Sequence, residues 1–428
     1  MIDSLVNAFR IPDLRRKLLY TFGMLVVFRF IAHVPVPGVN AEALGRLFES
    51  NQLIGMLDLF SGGAMKSFSV AAMGVYPYIT ASIIMQLLIP MVPRLQEMSK
   101  EGESGRNRIN QYTHWLTVPL AFLQALGTGS LLANNQLGVI SNFNLVTNFL
   151  PTLAILVSMT AGTMLLIWVG ELITENGIGN GISIIIFGGI VAGLPGMVAQ
   201  SLFAGTNYLG LAIFMALGLV TIAGIVVVQE AQRRIPVQFA KRIRGTRMYG
   251  GSSTHIPMRV NSAGMIPLIF AMSIMLFPGT VASYFIYAEG FGGDVARSIN
   301  WLFNPANVVY WVLYFVMVVA FTFFYTMVIF QQQNIPESLQ KNGGFVPGIR
   351  PGRPTGEYLN KVLIRITWFG ATFLGVVAIL PFFVQNLTSV QSLTLSSTAL
   401  LIIVGVVLDT IKQLESQLLM RHYQGFIK

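Results

Sequence analysis

The chain contains no cysteine, which excludes disulfides, thiol nucleophiles and cysteine-ligated metals. Histidine is nearly as scarce. His33, His114, His255 and His422 are scattered over loops and the ends of apolar runs, an arrangement that builds no metal centre. Charge is short as well: 10% of the 428 residues are charged, against 54% hydrophobic, and mean hydropathy is +0.67. No water-soluble domain of this length hides so much apolar surface, so the composition is that of a polytopic membrane protein. The seventeen acidic residues lie in loops, in one short apolar segment or at the ends of apolar runs, never in the middle of one. Ion-coupled transporters place carboxylates inside the membrane, and their absence argues against that class. Without a mid-span acid or histidine, an intramembrane hydrolase has no constellation to work with. There is no phosphate-cradling Gly-rich loop either. The chain therefore reads as a non-enzyme without cofactors, and any energy it uses comes from a partner.

What is present is a series of ten apolar runs, near 18–34, 68–90, 115–133, 150–173, 180–198, 208–228, 263–285, 308–330, 362–384 and 393–411. They predict an all-α polytopic membrane protein with ten transmembrane helices. Arg15-Arg16-Lys17 precedes the first run without a small-residue cleavage site, so that run reads as a retained span. The basic residues are strongly sided. Of 27 Lys and Arg, 22 fall on the side that holds both termini, which places the termini in the cytoplasm. The spans divide five and five around the loop 199–207, giving an N-terminal half 1–198 and a C-terminal half 208–428; the family resemblance described below implies that this loop is a hinge. Related halves with an odd number of spans would be inverted relative to each other. No clear sequence similarity between them is evident.

The stretch from Leu53 to Met91 is unusual. Leu53–Met65 makes only ~20 Å of helix, short of the ~30 Å hydrocarbon core. It carries Asp58 and ends at Gly62-Gly63, where the backbone turns freely. A spanning run follows, in which Pro77 predicts an interruption. Half-span, glycine hinge and interrupted span in series suggest a re-entrant element, tolerated only where protein or a water-filled cavity surrounds it. A channel or transporter with an internal stopper fits. Two basic loops, 229–260 and 331–361, exceed what connection requires. In the second, Phe345-Val346-Pro347-Gly348-Ile349-Arg350 is a constrained apolar tip presenting one guanidinium, suited to docking on a carboxylate or phosphate.

The segments KEGESGRNRINQYT (100–113), ELITENGIGNGISIII (171–186), QRRIPVQFAKR (232–242), FVPGIRPG (345–352) and RHYQGF (421–426) together resemble the bacterial SecY family, the channel subunits of the Sec protein translocon. The resemblance runs the length of the chain. It implies a clamshell of two pseudo-symmetric five-helix halves, through which unfolded preproteins pass and from which signal sequences and membrane spans leave sideways, between spans 2 and 7. By the same resemblance, residues near 53–66 form a plug that includes Leu57, Asp58, Phe60, Gly62 and Gly63. A pore ring of apolar side chains maps to Ile79, Ile83, Ile182, Ile186, Ile269 and Ile402. The pairs 79/83 and 182/186 are spaced to project from one helical face, and a narrow aliphatic ring dewets and leaks little. Thr80, Gln86, Asn180 and Pro267 fall at the lateral gate, with Pro77 and Pro267 as expected bending points.

Arg233, Arg234, Arg247 and Arg350 match the positions that contact the ATPase SecA and the ribosome, where bases meet RNA phosphates. Many relatives have two arginines where this chain has Thr246-Arg247, which implies a weaker ribosome contact. The implied partners are SecE, SecG, SecA, the ribosome, the preprotein with its signal sequence, and lipid, with no DNA. The implied location is the bacterial plasma (inner) membrane. An alternative, a small-solute permease subunit docked to a cytosolic ATPase, explains the basic loops but neither the stopper nor the ring.

Overall fold

The computed structural model describes residues 11–40, 43–44, 61, 63–65, 67–133, 139–140, 143, 148–203, 208–239, 242–244, 247–249, 253–285, 290–388 and 396–424. Its helices are α1 (Pro12–Ile31), α2 (Tyr76–Met91), α3 (Pro93–Lys100), α4 (Glu103–Ala133), α5 (Phe149–Asn176), α6 (Gly181–Phe203), α7 (Tyr208–Glu230), α8 (Ile266–Phe285), α9 (Phe291–Leu302), α10 (Val308–Gln333), α11 (Ile335–Lys341), α12 (Arg353–Thr388) and α13 (Ser396–Gln424). Five short strands interrupt them: β1 (Gln232–Phe239), β2 (Arg242–Arg244), β3 (Arg247–Tyr249), β4 (Ser253–Arg259) and β5 (Gly344–Phe345). Ten of the helices (α1, α2, α4–α8, α10, α12, α13) coincide with the ten predicted spans. Among the described residues, judged by length and composition alone, three stretches are apolar enough to cross a membrane unaided: Phe149–Asn176, Val308–Lys341 and Arg353–Leu380. The pair α2–α3, bent by 100° at Val92, makes a fourth when the two helices are taken together as one broken span. The others are shorter or carry charged ends.

Most of the large interfaces within α1–α6 have a counterpart within α7–α13. α1 packs on α5 and α6, as α7 packs on α12 and α13; α2 packs on α4, as α8 packs on α10; α4–α5–α6 form a series, as do α10–α12–α13. The two groups meet where α2 and α4 pack on α8 and where α6 packs on α13. The outward faces are apolar, with Phe22, Val26 and Phe30 on α1, Leu150 and Trp168 on α5, and Val312, Val316, Trp368 and Phe369 on α10 and α12 all exposed. That is the surface lipid requires.

The correspondence reaches individual residues. Val70, Gly74, Pro77, Ile79, Ala81 and Met85 recur at one constant interval as Val260, Gly264, Pro267, Ile269, Ala271 and Met275. Both stretches begin as turns, with Gly74 at φ +56° and Gly264 at φ +66°, where a Cβ would be strained. In both, proline is the second residue of the helix. The prediction that Pro77 and Pro267 break their spans is thereby corrected. A proline in the first helical turn removes an N–H that has no intrahelical partner, so it starts the helix instead of kinking it. A second pair matches as well: a Cβ on Gly162 of α5 would collide with the Val70 carbonyl, and one on Gly370 of α12 with the Val260 carbonyl. Around these glycines, Met159, Thr163, Leu166 and Val169 are buried just as Thr367, Ala371, Leu374 and Val377 are.

The expectation of an all-α fold needs one amendment. The basic loops contribute a sheet ordered β4-β1-β5, with β1 antiparallel to both neighbours, and a small β2-β3 hairpin.

Candidate functional site

The centre of the molecule is built on the α5–α6 turn. A Cβ on Gly181 would overlap the Gly170 carbonyl, so only glycine lets α6 start this close to α5. Thr174 clasps the turn: its Oγ1 accepts from the Gly181 N–H at 2.9 Å and donates to the Gly170 carbonyl at 2.9 Å. Asn180 Oδ1 accepts from the Ser183 N–H at 3.2 Å, capping α6. The segment ENGIGNG thus sets the height at which α6 presents Ile182 and Ile186.

Those two meet Ile79 and Ile83 of α2, Ile269 of α8 and Ile402 of α13 in one hydrophobic cluster, five of the six buried and Ile182 packed against them. Residues the sequence reading passed over share the cluster: Ile190, one turn beyond Ile186, Met272 and Met275 on α8, and Leu401 and Val406 on α13. Helical spacing from the isoleucines named above was the signal that pointed to Ile190 and Val406. Aliphatic and thioether side chains converging from four helices offer water and ions no comparable hydrogen bonding.

At the seam between α2 and α8, Tyr76 Oη donates to the Ser273 carbonyl at 3.1 Å. The polar residues expected there bond within their own elements. Thr80 Oγ1 donates to the Tyr76 carbonyl at 3.1 Å, Gln86 Nε2 donates to Ser82 Oγ at 3.4 Å, and Asn180 caps α6. Among the described residues, buried Gln86 Oε1 and Ser273 Oγ have no hydrogen-bond partner. Pro267 lies at the start of α8. Behind α2, His114 of α4 and Glu171 of α5 approach to 3.2 Å, and Tyr78 of α2 sets its ring edge-on to His114 at 5.7 Å.

Next to the cluster, and sharing Met265 and Val406 with it, lies a cavity of about 480 Å³ also lined by Asn180, Ser183, Arg259, Asp409 and Lys412. Lys412 Nζ bonds Glu230 Oε1 at 2.7 Å, tying α13 to the end of α7.

On the basic face, β1 is the shared strand. Ile235 pairs with Ile256 of β4, and Gln238 pairs with Phe345 of β5, so the two long loops form one unit. Ile235, Val237, Met258, Val346, Leu359 and Leu363 give it a small core of its own. Arg233 and Arg234 are both exposed, and because strand side chains alternate they point to opposite faces. Arg247 stands in β3, with its side chain outside the described residues. The tip containing Arg350 is a type II turn: Pro347 precedes Gly348 at φ +81°, and the Ile349 N–H donates to the Val346 carbonyl at 3.0 Å. Thr355 Oγ1 then holds the Arg350 carbonyl at 2.8 Å, leaving the guanidinium exposed. Of the residues predicted for the stopper, Leu57, Asp58, Phe60 and Gly62 lie outside the described residues; Gly63 sits in a turn at φ +85°.

Comparison with known proteins places this geometry. Residues 69–411 match the SecY family model. The chain belongs to the SecY family. A protein translocase subunit SecY of Thermotoga maritima is 45% identical over 100% of this chain and 98% of its own length. Among solved structures, Sec61 in the canine ribosome–channel complex from the endoplasmic reticulum superposes with a TM-score of 0.64 at 17% identity, covering 96% of each chain. A structure reporting that the plug domain of the SecY protein stabilises the closed state of its translocation channel superposes at 0.62 with 16% identity, again over 96% of each chain. The architecture is thus that of the SecY and Sec61 channels, and this chain is a multi-pass membrane protein. Nothing in these likenesses favours a small-solute permease.

Proposed function

We propose that the chain is the protein-conducting subunit of a translocase, passing unfolded preproteins between its two halves, 1–198 and 208–428, about the hinge 199–207. The convergence of isoleucines from α2, α6, α8 and α13 in one cluster carries this reading. An aliphatic constriction packs around any passing side chain without favouring one, and it resists ion flow when empty. Ile79, Ile83, Ile182, Ile186, Ile269 and Ile402 form that ring, and the segment around 53–66 closes it from outside. Signal sequences and membrane spans leave sideways between α2 and α8. The sheet formed by the two basic loops is the docking platform for SecA, which drives secretion, and for the ribosome. Arg233, Arg234, Arg247 and Arg350 are the contact residues, Arg350 best presented because its turn is rigid. SecE and SecG complete the complex in the bacterial plasma membrane, with both termini of this chain cytoplasmic, as the sidedness of its basic residues supports.

The test is reconstitution into liposomes with SecE, SecG and SecA. A signal-bearing preprotein becomes protease-protected only when ATP and the signal are both present. Failure here, alongside a working control translocon, would refute the reading for SecA and direct the next assay to the ribosome. The absence of native cysteine lets single introduced cysteines report sidedness: labels at Arg350 react from the cytoplasm and labels at Arg297 from outside.

A further inference from the structure

One face of α13 continues from the central cluster to the base of the β1–β4 hairpin. Ile402, Gly405, Asp409 and Lys412 recur at intervals of three and four, so they share one side of the helix. Ile402 is fully buried in the cluster. A Cβ on Gly405 would stand 3.2 Å from Met265 Sδ and 3.5 Å from Gln229 Nε2, so α13 passes close to the end of α7 and to the turn before α8. These are the two roots of the hairpin, closed where the Val260 N–H donates to the Ala231 carbonyl at 2.9 Å. Each root carries a charge, Glu230 at the end of α7 and Arg259 at the end of β4. On α13, Lys412 Nζ stands 2.7 Å from Glu230 Oε1, and Asp409 lies within electrostatic reach of Arg259 as well as of Lys412 and Glu230. Arg259, Asp409 and Lys412 also line one cavity. Two acids and two bases are thus gathered where the helix meets the hairpin. None of the four is buried, so they add little to stability. What such groups supply is register, because a shifted helix brings like charges together.

We propose that Glu230, Arg259, Asp409 and Lys412 are positioning residues that set the height and rotation of α13 and thereby hold Ile402 in the constriction. The proposal rests on the reading of the isoleucine cluster as the channel's barrier. Asp409 is seven residues from Ile402, about 10 Å along a helix. Between them Gly405 leaves no slack against Met265 and Gln229. A displacement at the charged end is therefore carried to Ile402, where close packing leaves no room to absorb it. The constriction is held from the hairpin side by charge, in addition to the apolar contacts within it.

The experiment uses the full chain in the complete reconstituted complex, with cysteine-free partner subunits. Ile402→Cys is then the sole thiol. Its rate of reaction with a membrane-impermeant thiol reagent, added from the cytoplasmic side, reports whether α13 has left its place. Lys412→Glu should raise that rate about tenfold, since it replaces attraction with a repulsion of similar size at Glu230 and Asp409. Lys412→Gln, which removes the attraction alone, should raise it about threefold. The exchange Glu230→Lys/Lys412→Glu restores opposite charges between helix and hairpin and should return the rate to near the parental value. A merely structural defect would not be repaired by that exchange. An unchanged rate in Lys412→Glu, or a raised rate that the exchange leaves raised, overturns the proposal. Planar-bilayer conductance of the same charge variants, with Ile402 intact, separates this from the underlying reading. Conductance that rises and is restored together with labelling supports both. If labelling responds and is restored while conductance stays parental, the charges position α13 as proposed, and it is the reading of the cluster as the ion barrier that falls.

Discussion

Val70, Gly74, Pro77 and Ile79 lead into α2 as Val260, Gly264, Pro267 and Ile269 lead into α8, and a glycine of α5 or α12 presses on the valine carbonyl in each case. What differs is the surroundings and the seam. The α2 stretch follows the apolar segment around 53–66, whereas the α8 stretch follows the basic hairpin of β1 and β4. Where the two helices touch, Tyr76 and Ser273 replace the isoleucines found at the counterpart positions. The shared positions include those that fix backbone geometry, Gly74/Gly264 and Pro77/Pro267, and also the central-cluster pair Ile79/Ile269, whereas Tyr76 and Ser273 at the seam diverge. The two stretches keep their turns and close glycine approaches in common while their contacts at the seam differ.

The comparison is most exposed to attack at the two glycines. Gly162→Ala and Gly370→Ala each force a methyl into a backbone carbonyl and should destabilise the protein by about 2–3 kcal/mol or more. Both should lower the thermal midpoint of the purified complex to a similar degree. Gly23→Ala, which has open space around its Cβ, should be neutral or stabilising by up to about 1 kcal/mol. A large effect at only one of Gly162 and Gly370 would break the equivalence. The differing approaches to the two helices give the next test. Arg350→Glu should abolish SecA-driven transport with ion leak unchanged, because the substitution reverses charge on the proposed docking platform and leaves the proposed constriction alone. ATP-dependent transport at the parental rate would remove the platform from the reading. Within the proposed constriction, Ile79→Ser and Ile269→Ser occupy matching positions, and each should raise planar-bilayer ion conductance several-fold by wetting the aliphatic cluster. Equal increases sharpen the correspondence, and a response from one alone limits it to the backbone. The smallest effect is expected at the α7–α13 tie. Lys412→Met removes a half-exposed ion pair and should cost below about 1 kcal/mol, measured as a small shift in thermal midpoint.

Much of the architecture was readable along the chain. Ten apolar runs became ten helices, since hydrophobic length is a local property. The rigid Arg350 tip was signalled by Pro347-Gly348, whereas the glycines of ENGIGNG gained their meaning only from the close approach of Gly181 to Gly170. The repeat was present but hard to find: Val, Gly, Pro, Ile and Ala at fixed spacing are common residues, and they gain meaning only when burial and close approach agree. The prolines misled because position within a helix, which decides whether proline starts or kinks it, depends on where the preceding turn ends.

The sequence by itself determined the membrane class, the number of spans and the aliphatic character of the residues at the centre, because each follows from composition or run length counted along the chain. Only the tertiary structure decided that two separate basic loops share a sheet through β1, that Gly162 and Gly370 press on the Val70 and Val260 carbonyls, and that Tyr76 bonds across to Ser273. These are pairings between residues far apart in the chain, and no local periodicity specifies which distant partner a buried group will meet.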